Sequence, residues 1–190
     1  MSRPIATTRS ATGIPTGRLA VWWVLASEVV IFGGLLASYL LHRLGHPEWA
    51  NAAAVTNVWI GAFNTFVLLS SSFTAVLAHR AAEHGDGGRA ARFLLMTIGG
   101  AATFIGVKTF EWYHEIVEGY TITSNGFWSF YYTAAGLHAL HVIAGAVIMA
   151  FVARDAARGR ELQRVEYVGI YWHFVDVVWI FLFPLLYIAK

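Results

Sequence analysis

Cysteine is missing from the 190-residue chain, and charged residues are scarce at 13%. The absence of cysteine excludes disulfides, iron–sulfur clusters and thiolate metal sites. The scarcity of charge excludes a soluble domain of this size, because 57% of the residues are hydrophobic and the interior of a globule is limited by its surface-to-volume ratio. Lipid is therefore the expected solvent of most of the chain.

Long hydrophobic runs take up most of the sequence. A membrane-spanning helix needs about 20 mostly apolar residues, and five windows meet this requirement, near 19–41, 55–78, 93–117, 127–152 and 165–189. The strands of a membrane β-barrel would instead alternate apolar and polar residues over about ten positions. The sequence predicts an all-α, polytopic bundle of five transmembrane helices that forms a single membrane domain over residues 1–190.

Basic residues are concentrated on one side of this predicted bundle. Arg43 and Lys190 lie on one side, whereas ten arginines precede the first helix or lie between helices two and three or four and five: Arg3, Arg9, Arg18, Arg80, Arg89, Arg92, Arg154, Arg158, Arg160 and Arg164. Cytoplasmic connectors of membrane proteins carry the excess of Lys and Arg. We therefore expect a cytoplasmic N-terminus and a C-terminus on the outside.

Ionisable residues lie at similar depths inside three of the windows. At a rise of about 1.5 Å per residue, Glu28 lies about 14 Å from the cytoplasmic surface, and Asp176 and His138 about 16 Å from their nearer surfaces. His141 and His173 lie somewhat closer to the cytoplasm. Depth alone predicts a cluster that includes Glu28, His138, His173 and Asp176. We expect the Glu28 carboxyl to be protonated or paired across helices, because desolvation disfavours its charged form.

The three histidines allow two interpretations. Each either bonds a neighbouring helix as a structural contact or ligates a cofactor. His138 and His141 stand three residues apart on one helix face, and either of them with His173 would supply the two axial ligands of a b-type haem. A metal site needs further ligands, so the structural interpretation is preferred and no metal site is expected.

Lys108, Glu111 and Glu115 share one face near the outer end of the third predicted helix, at positions i, i+3 and i+7. We expect Lys108 to snorkel to the membrane interface and form a local ion pair. The alternative is a substrate or proton path along this outer ion-pair ridge. No nucleotide-binding motif or nucleophile–base pair accompanies these groups. The isolated chain is therefore not expected to catalyse a reaction, and no nucleic-acid partner is expected.

Five motifs occur in order along nearly the whole chain. They are Ser-Glu-Val-Val-Ile-Phe at 27–32, Asn-Thr at 64–65 with Leu-Leu-Ser-Ser-Ser at 68–72, Glu-Trp at 111–112, Gly-Leu-His-Ala-Leu-His-Val at 136–142, and Tyr-Trp-His-Phe-Val-Asp-Val-Val-Trp at 171–179. In this combination the chain resembles subunit III of the haem–copper oxidases, the cytochrome c and quinol oxidase subunit 3 family. Five helices match the short bacterial form, which lacks the first two helices of longer members.

The resemblance implies an accessory, non-catalytic subunit of a respiratory terminal oxidase that reduces O₂ to water and pumps protons. It implies a place in the bacterial cytoplasmic membrane, direct contact with subunit I, and subunit II and a small subunit IV as further partners. Haems and copper would lie in the partner subunits, and this chain would hold no cofactor except bound phospholipid. Its expected role is to support subunit I stability, proton uptake and lipid binding.

The resemblance also implies roles for individual residues. Glu28 matches the carbodiimide-reactive membrane carboxylate of the family. The other polar positions within the motifs are expected to pack helices or to bind lipid: Asn64, Glu111, His138, His141, His173 and Asp176. The lipid cleft that longer members form against their first two helices is expected to be open here or filled by another subunit.

Two alternative functions remain open at this point. Lys108 stands where many oxidase members carry glutamine, and this departure is compatible with a subunit III-like component of a nitric oxide reductase complex. The second alternative is a small b-type cytochrome that carries electrons through His138 or His141 together with His173. The electron donor of an oxidase, cytochrome c or quinol, is not determined by this chain.

Overall fold

The computed structural model describes residues 16–189, and it consists of helices joined by short connections. The helices are α1 (Thr16–Gly45), α2 (Trp49–Ala53), α3 (Val58–Glu83), α4 (Gly87–Val117), α5 (Gly126–Ala157) and α6 (Gln163–Phe183), followed by a π-helical turn at Pro184–Ile188. No strand occurs within this described range. Three of the basic residues used to predict the topology, Arg3, Arg9 and Lys190, lie outside it.

Five segments are long and apolar enough to cross a membrane: α1, α3, α4, α5 and the stretch Gln163–Ile188. This finding confirms the predicted all-α bundle of five membrane-spanning helices. Helix bounds differ from the apolar windows, because capping groups rather than hydropathy end a helix. The side chain of Asn57, for example, accepts hydrogen bonds from the backbone of Trp59 at 3.0 Å and of Ile60 at 3.3 Å, so α3 begins at Val58 rather than at residue 55.

Three helices end at a glycine that adopts the left-handed backbone conformation. Gly85, Gly119 and Gly159 have φ values of 76°, 92° and 66° and follow α3, α4 and α5. After the first of them, the Asp86 amide donates a hydrogen bond to the Ala81 carbonyl at 2.9 Å, as in a Schellman motif. These compact endings produce short connections, and the helices they join run antiparallel.

The bundle has a tightly packed centre and a peripheral first helix. Helix α3 packs along α4, α4 along α5, and α6 lies against both α3 and α5, whereas α1 contacts α6 and, less extensively, α5. The buried side chains of α1 are Leu25, Phe32 and Tyr39, which recur every seven residues along one face. The Tyr39 hydroxyl donates a hydrogen bond to the Leu185 carbonyl at 2.9 Å, which ties α1 to the C-terminal turn.

Small residues permit close helix contacts in the centre. A Cβ atom added to Gly100 would lie 2.6 Å from the Ser71 Cβ, so α3 and α4 approach more closely than an alanine would allow. A Cβ at Gly145 would lie 3.1 Å from the Trp172 ring. The indole nitrogen of Trp172 in turn donates a hydrogen bond to the Ser71 hydroxyl at 3.1 Å. Backbone proximity and side-chain hydrogen bonds together fix the register of the central helices.

Candidate functional site

Glu28 on α1 faces His141 on α5. The Oε2 atom of Glu28 lies 3.0 Å from the Nε2 atom of His141, and both side chains are mostly buried. Phe32, one turn further along α1, packs edge-on against the imidazole with ring centroids 5.2 Å apart. The Nδ1 atom of His141 lies 2.8 Å from the Leu137 carbonyl oxygen, which orients the ring. The carboxyl therefore has a partner on another helix, at the contact between the peripheral helix and the centre.

His138 points away from this pair. Its ring stacks on Trp179 of α6 with centroids 5.2 Å apart, and Phe104 of α4 packs against it edge-on at 5.4 Å. The side chain is fully buried, and neither of its nitrogens has a hydrogen-bond partner among the described residues. A separation of three residues still turns two side chains about 60° apart around the helix. His138 and His141 thus contact different helices.

His173 and Asp176 belong to the contact between α6 and α3. The Nδ1 atom of His173 lies 2.6 Å from the Ser72 hydroxyl. Asp176, one turn deeper on α6, is 4% exposed. Neither carboxyl oxygen of Asp176 has a hydrogen-bond partner within residues 16–189. This carboxyl is therefore separate in its contacts from the Glu28–His141 pair.

Lys108 is the centre of a buried ionic cluster. Its Nζ atom lies 2.8 Å from both the Glu111 Oε2 and the Tyr131 hydroxyl, and it also donates to the Tyr187 hydroxyl. Tyr131 donates to Glu115 at 2.8 Å, and Tyr187 donates to Glu111 at 2.9 Å. The ammonium lies 4.5 Å from the centroid of the Tyr131 ring, within range of a cation–π contact. The five side chains form one network that joins α4, α5 and the C-terminal turn.

The expectation that Lys108 snorkels to the membrane interface is wrong. Its side chain is 1% exposed, and the side chains of Glu111 and Glu115 are 3% and 6% exposed. Aromatic hydroxyls supply the polar contacts that water would otherwise provide at the interface, so the ammonium remains inside. The ion pair that was expected beside it, Lys108 with Glu111, is present.

The ionisable residues that depth predicted to form one cluster are divided among separate helix contacts. Glu28 meets His141, His138 meets two aromatic rings, and His173 meets Ser72. Asn64 is fully buried on α3, and neither atom of its amide has a hydrogen-bond partner among the described residues. Sequence reasoning missed two residues that complete the contacts of Lys108, namely Tyr131 and Tyr187, because both reach Lys108 from other parts of the chain.

The histidines are not arranged around a common ligand position. The His138 ring is enclosed between Phe104 and Trp179, whereas His173 is engaged by Ser72 on a different helix contact. Within residues 16–189, no group of three or more His, Asp or Glu side chains is placed to hold a metal ion. The Glu28–His141 contact, called here the interhelical pair, and the buried ionic cluster around Lys108 are thus built as contacts between helices.

Comparison with known proteins identifies the family. The model of a family described as cytochrome c oxidase subunit III matches residues 7–190. The chain belongs to the cytochrome c oxidase subunit III family. This membership confirms the resemblance drawn from the five motifs.

Three relatives illustrate the range of this subunit III family. The chain is 37% identical over 178 residues to cytochrome c oxidase subunit 3 of Bacillus subtilis, which covers 90% of this chain and 84% of that protein. It is 33% identical over 174 residues to cytochrome bo(3) ubiquinol oxidase subunit 3 of Pseudomonas aeruginosa, covering 88% and 82%. It is 32% identical over 183 residues to heme-copper oxidase subunit I+III of Aeropyrum pernix, covering 90% of this chain and 22% of that longer protein.

As a subunit III, the chain is a multi-pass membrane protein and an accessory subunit of a haem–copper oxidase. The motif residues that carried the resemblance occupy the contacts described above. The Ser-Glu motif supplies Glu28 of the interhelical pair, and the His-x-x-His motif supplies its partner His141. The last motif supplies Trp172, Asp176 and Trp179, which line the face of α6 that packs inside the bundle.

Proposed function

We propose that this subunit III supports a bacterial respiratory oxidase that reduces O₂ to water and pumps protons, and that it packs directly against subunit I. The family match over residues 7–190 carries this proposal. The relative named as subunit I+III supports the direct contact, because its name joins the two subunits in one chain. Subunit II and a small subunit IV complete the proposed partners, and the haems and copper belong to partner subunits.

The proposed location is the bacterial cytoplasmic membrane, with the N-terminus in the cytoplasm. Basic side chains support this orientation. The turn between α3 and α4 is flanked by Arg80 and Arg89, and the turn between α5 and α6 by Arg158 and Arg160. The connector between α4 and α5 carries no basic residue. Relatives named for cytochrome c and for ubiquinol oxidases match alike, so the electron donor depends on other subunits.

We further propose that phospholipid binds in a groove between α1, α5 and α6. The groove has a volume of about 320 Å³, and its lining is almost wholly apolar: Ala20, Val21, Val24, Ile148, Val152, Val168 and the rings of Tyr167 and Tyr171. Arg164 is among the lining residues. Its guanidinium pairs with Asp155 at 3.2 Å and Glu161 at 3.5 Å, and a guanidinium suits the phosphate of a headgroup. Acyl chains would fill the apolar length of the groove and strengthen the contact of α1 with the bundle.

The accessory role is tested by purifying the oxidase with and without this chain. We expect the same haem spectrum and the same initial rate of O₂ reduction from both preparations, and an earlier loss of activity during turnover when the chain is missing. Equal lifetimes would contradict the proposed support of subunit I. A reduced-minus-oxidised spectrum of the isolated chain gives an independent check, since haem bands there would replace this proposal with the b-type cytochrome.

A further inference from the structure

The buried ionic cluster around Lys108 contains more acid than base. It holds one ammonium, that of Lys108, and two carboxyls, those of Glu111 and Glu115, and all three side chains are buried. Lys108 pairs with Glu111 at 2.8 Å, and none of the ion pairs among residues 16–189 includes Glu115. If all three groups were charged, one negative charge would remain uncompensated inside the protein, which is costly. One of the two carboxyls is therefore expected to be neutral.

The Lys108 ammonium has no donor left for Glu115. Its Nζ atom donates to Glu111 Oε2 and to the hydroxyls of Tyr131 and Tyr187, and an ammonium has three donors in all. Glu115 instead accepts a hydrogen bond at Oε1 from the Tyr131 hydroxyl at 2.8 Å. This donor is neutral, so it satisfies the oxygen without compensating a charge. Glu111 is thus the carboxylate of the ion pair, and Glu115 is the carboxyl without a cation.

The second oxygen of Glu115 faces a hydroxyl whose proton is engaged elsewhere. The Tyr132 hydroxyl reaches two acceptors, the Tyr120 carbonyl at 2.7 Å and the Glu115 Oε2 atom at 3.4 Å. A hydrogen bond from a hydroxyl to a carboxylate is short, about 2.5–2.7 Å between the oxygens, so a charged Oε2 would draw this single proton to itself. A neutral acid would instead donate from Oε2 to a lone pair of the Tyr132 oxygen. The observed contact fits the acid better than the carboxylate.

Glu111 offers no comparable place for a proton. Its Oε2 atom already accepts hydrogen bonds from the Lys108 ammonium at 2.8 Å and from the Tyr187 hydroxyl at 2.9 Å. Its Oε1 atom has no hydrogen-bond partner within residues 16–189, so a proton on Oε1 would be a buried donor without an acceptor, which is costly. The geometry therefore favours Glu115 as the carboxyl that is neutral.

We propose that Glu115 is a proton-binding site that exchanges its proton with water at the end of the bundle where α4 is joined to α5. Glu115 lies in the last turn of α4, and Tyr132, beside its Oε2 atom, is only partly buried. Uptake forms an O–H bond between a proton from water and Oε2, and release breaks this bond and returns the proton to water. The charges of the cluster balance while the proton is bound, and one negative charge is uncompensated after its release.

The titratable groups around Glu115 come from three elements: Lys108 and Glu111 of α4, Tyr131 and Tyr132 of α5, and Tyr187 of the C-terminal turn. At the end of α4, His114 and Glu118 pair with each other at 3.1 Å and are exposed. Glu111 already compensates the one buried cation, so the exchangeable proton belongs to Glu115. The proposal goes beyond the accessory role proposed above, and it rests on contacts within this chain alone.

The test uses infrared spectroscopy of the full-length chain, purified in mild detergent with the partners that it retains. A protonated carboxyl gives a carbonyl stretching band that shifts when its proton is replaced by deuterium. At neutral pH, we expect Glu115→Gln to lack one such band and Glu115→Asp to show it at a different frequency. The Asp variant keeps the test valid if the Gln variant does not assemble. Glu118→Gln is the matched control, because this nearby carboxyl is exposed, and it should leave the band unchanged.

Two results would overturn the proposal. The first is a spectrum that neither Glu115 substitution alters, and the second is a Glu115 band that does not shift in D₂O, since its proton would then not exchange with water. Tyr132→Phe tests the position of the proton, because it removes the acceptor beside Oε2. We expect the band to persist at a higher frequency in this variant and to stay in place in Tyr113→Phe, where the ring is 69% exposed. A wild-type frequency in Tyr132→Phe would refute the placement of the proton on Oε2.

Discussion

Replacing Lys108 with methionine should destabilise the bundle more than almost any other single change. The substitution keeps the length and apolar stem of the side chain but removes the ammonium, which lies 2.8 Å from Glu111. The Glu111 and Glu115 carboxyls then remain buried without a cation. Breaking one partner of a buried ion pair costs about 3–5 kcal/mol, because the other charge is left uncompensated. We expect a loss of this size in the free energy of unfolding of Lys108→Met.

A double-mutant cycle identifies the source of this loss. The single variants Lys108→Met and Glu111→Gln and the double variant would be unfolded reversibly in mixed micelles, with tryptophan fluorescence as the signal. Buried pairs replaced as a whole by neutral groups often cost little, so the double variant should be less destabilised than the sum of the single variants. The expected coupling lies near the upper part of the range of about 0.5–3 kcal/mol seen for side chains in contact.

An exposed ion pair provides the control for the Lys108 experiment. Arg89 lies 3.7 Å from Asp86 at the start of α4, and both side chains are largely exposed. Arg89→Met should cost less than about 1 kcal/mol, as is typical of surface pairs. The reasoning would be refuted if Lys108→Met cost no more than this control, or if the Lys108 and Glu111 substitutions were additive.

Three further predictions follow from the helix contacts. Gly100→Ala should lower the free energy of unfolding by about 1–3 kcal/mol, because the added Cβ would lie 2.6 Å from the Ser71 Cβ of α3. Gly99→Ala is the control, since a Cβ there has open space around it, and melting curves in detergent compare the two variants. Tyr39→Phe should cost about 1 kcal/mol and speed amide hydrogen exchange in α1, since it removes the 2.9 Å hydrogen bond to the C-terminal turn; unchanged exchange would count against this anchor. Glu28→Gln should abolish labelling by a hydrophobic carbodiimide while electron transfer survives. His141→Leu should increase the labelling of Glu28, since this substitution removes the imidazole that lies 3.0 Å from the carboxyl. Peptide mass spectrometry measures the labelling of both variants.

The five membrane-spanning helices could be predicted because a uniformly apolar window of about 20 residues is typical of a helix that crosses a membrane. In lipid, a helix satisfies the hydrogen bonds of its own backbone. The ends of the helices were harder to predict. The short helix α2, Trp49–Ala53, has too few residues to show a hydrophobic period, and the start of α3 depends on the side chain of Asn57. Such ends are decided by single capping hydrogen bonds, which hydropathy does not report.

The composition of the site was harder to predict than its depth. The rise per residue gives the level of a side chain in the membrane, but its direction around the helix depends on how helices pack. His138 and His141 show this limit, since they lie at similar levels and contact different helices. The error at Lys108 has the same origin, because the sequence pattern showed the two glutamates on its own helix and not the tyrosines from elsewhere in the chain.

The most direct test of the proposed function is mass spectrometry of the proteins that co-purify with a tagged copy of this chain in mild detergent. We expect a haem–copper subunit I and a subunit II in stoichiometric amounts, and the type of subunit II would identify the electron donor. Recovery of a nitric oxide reductase pair, or of the chain alone carrying haem, would contradict the assignment to a terminal oxidase.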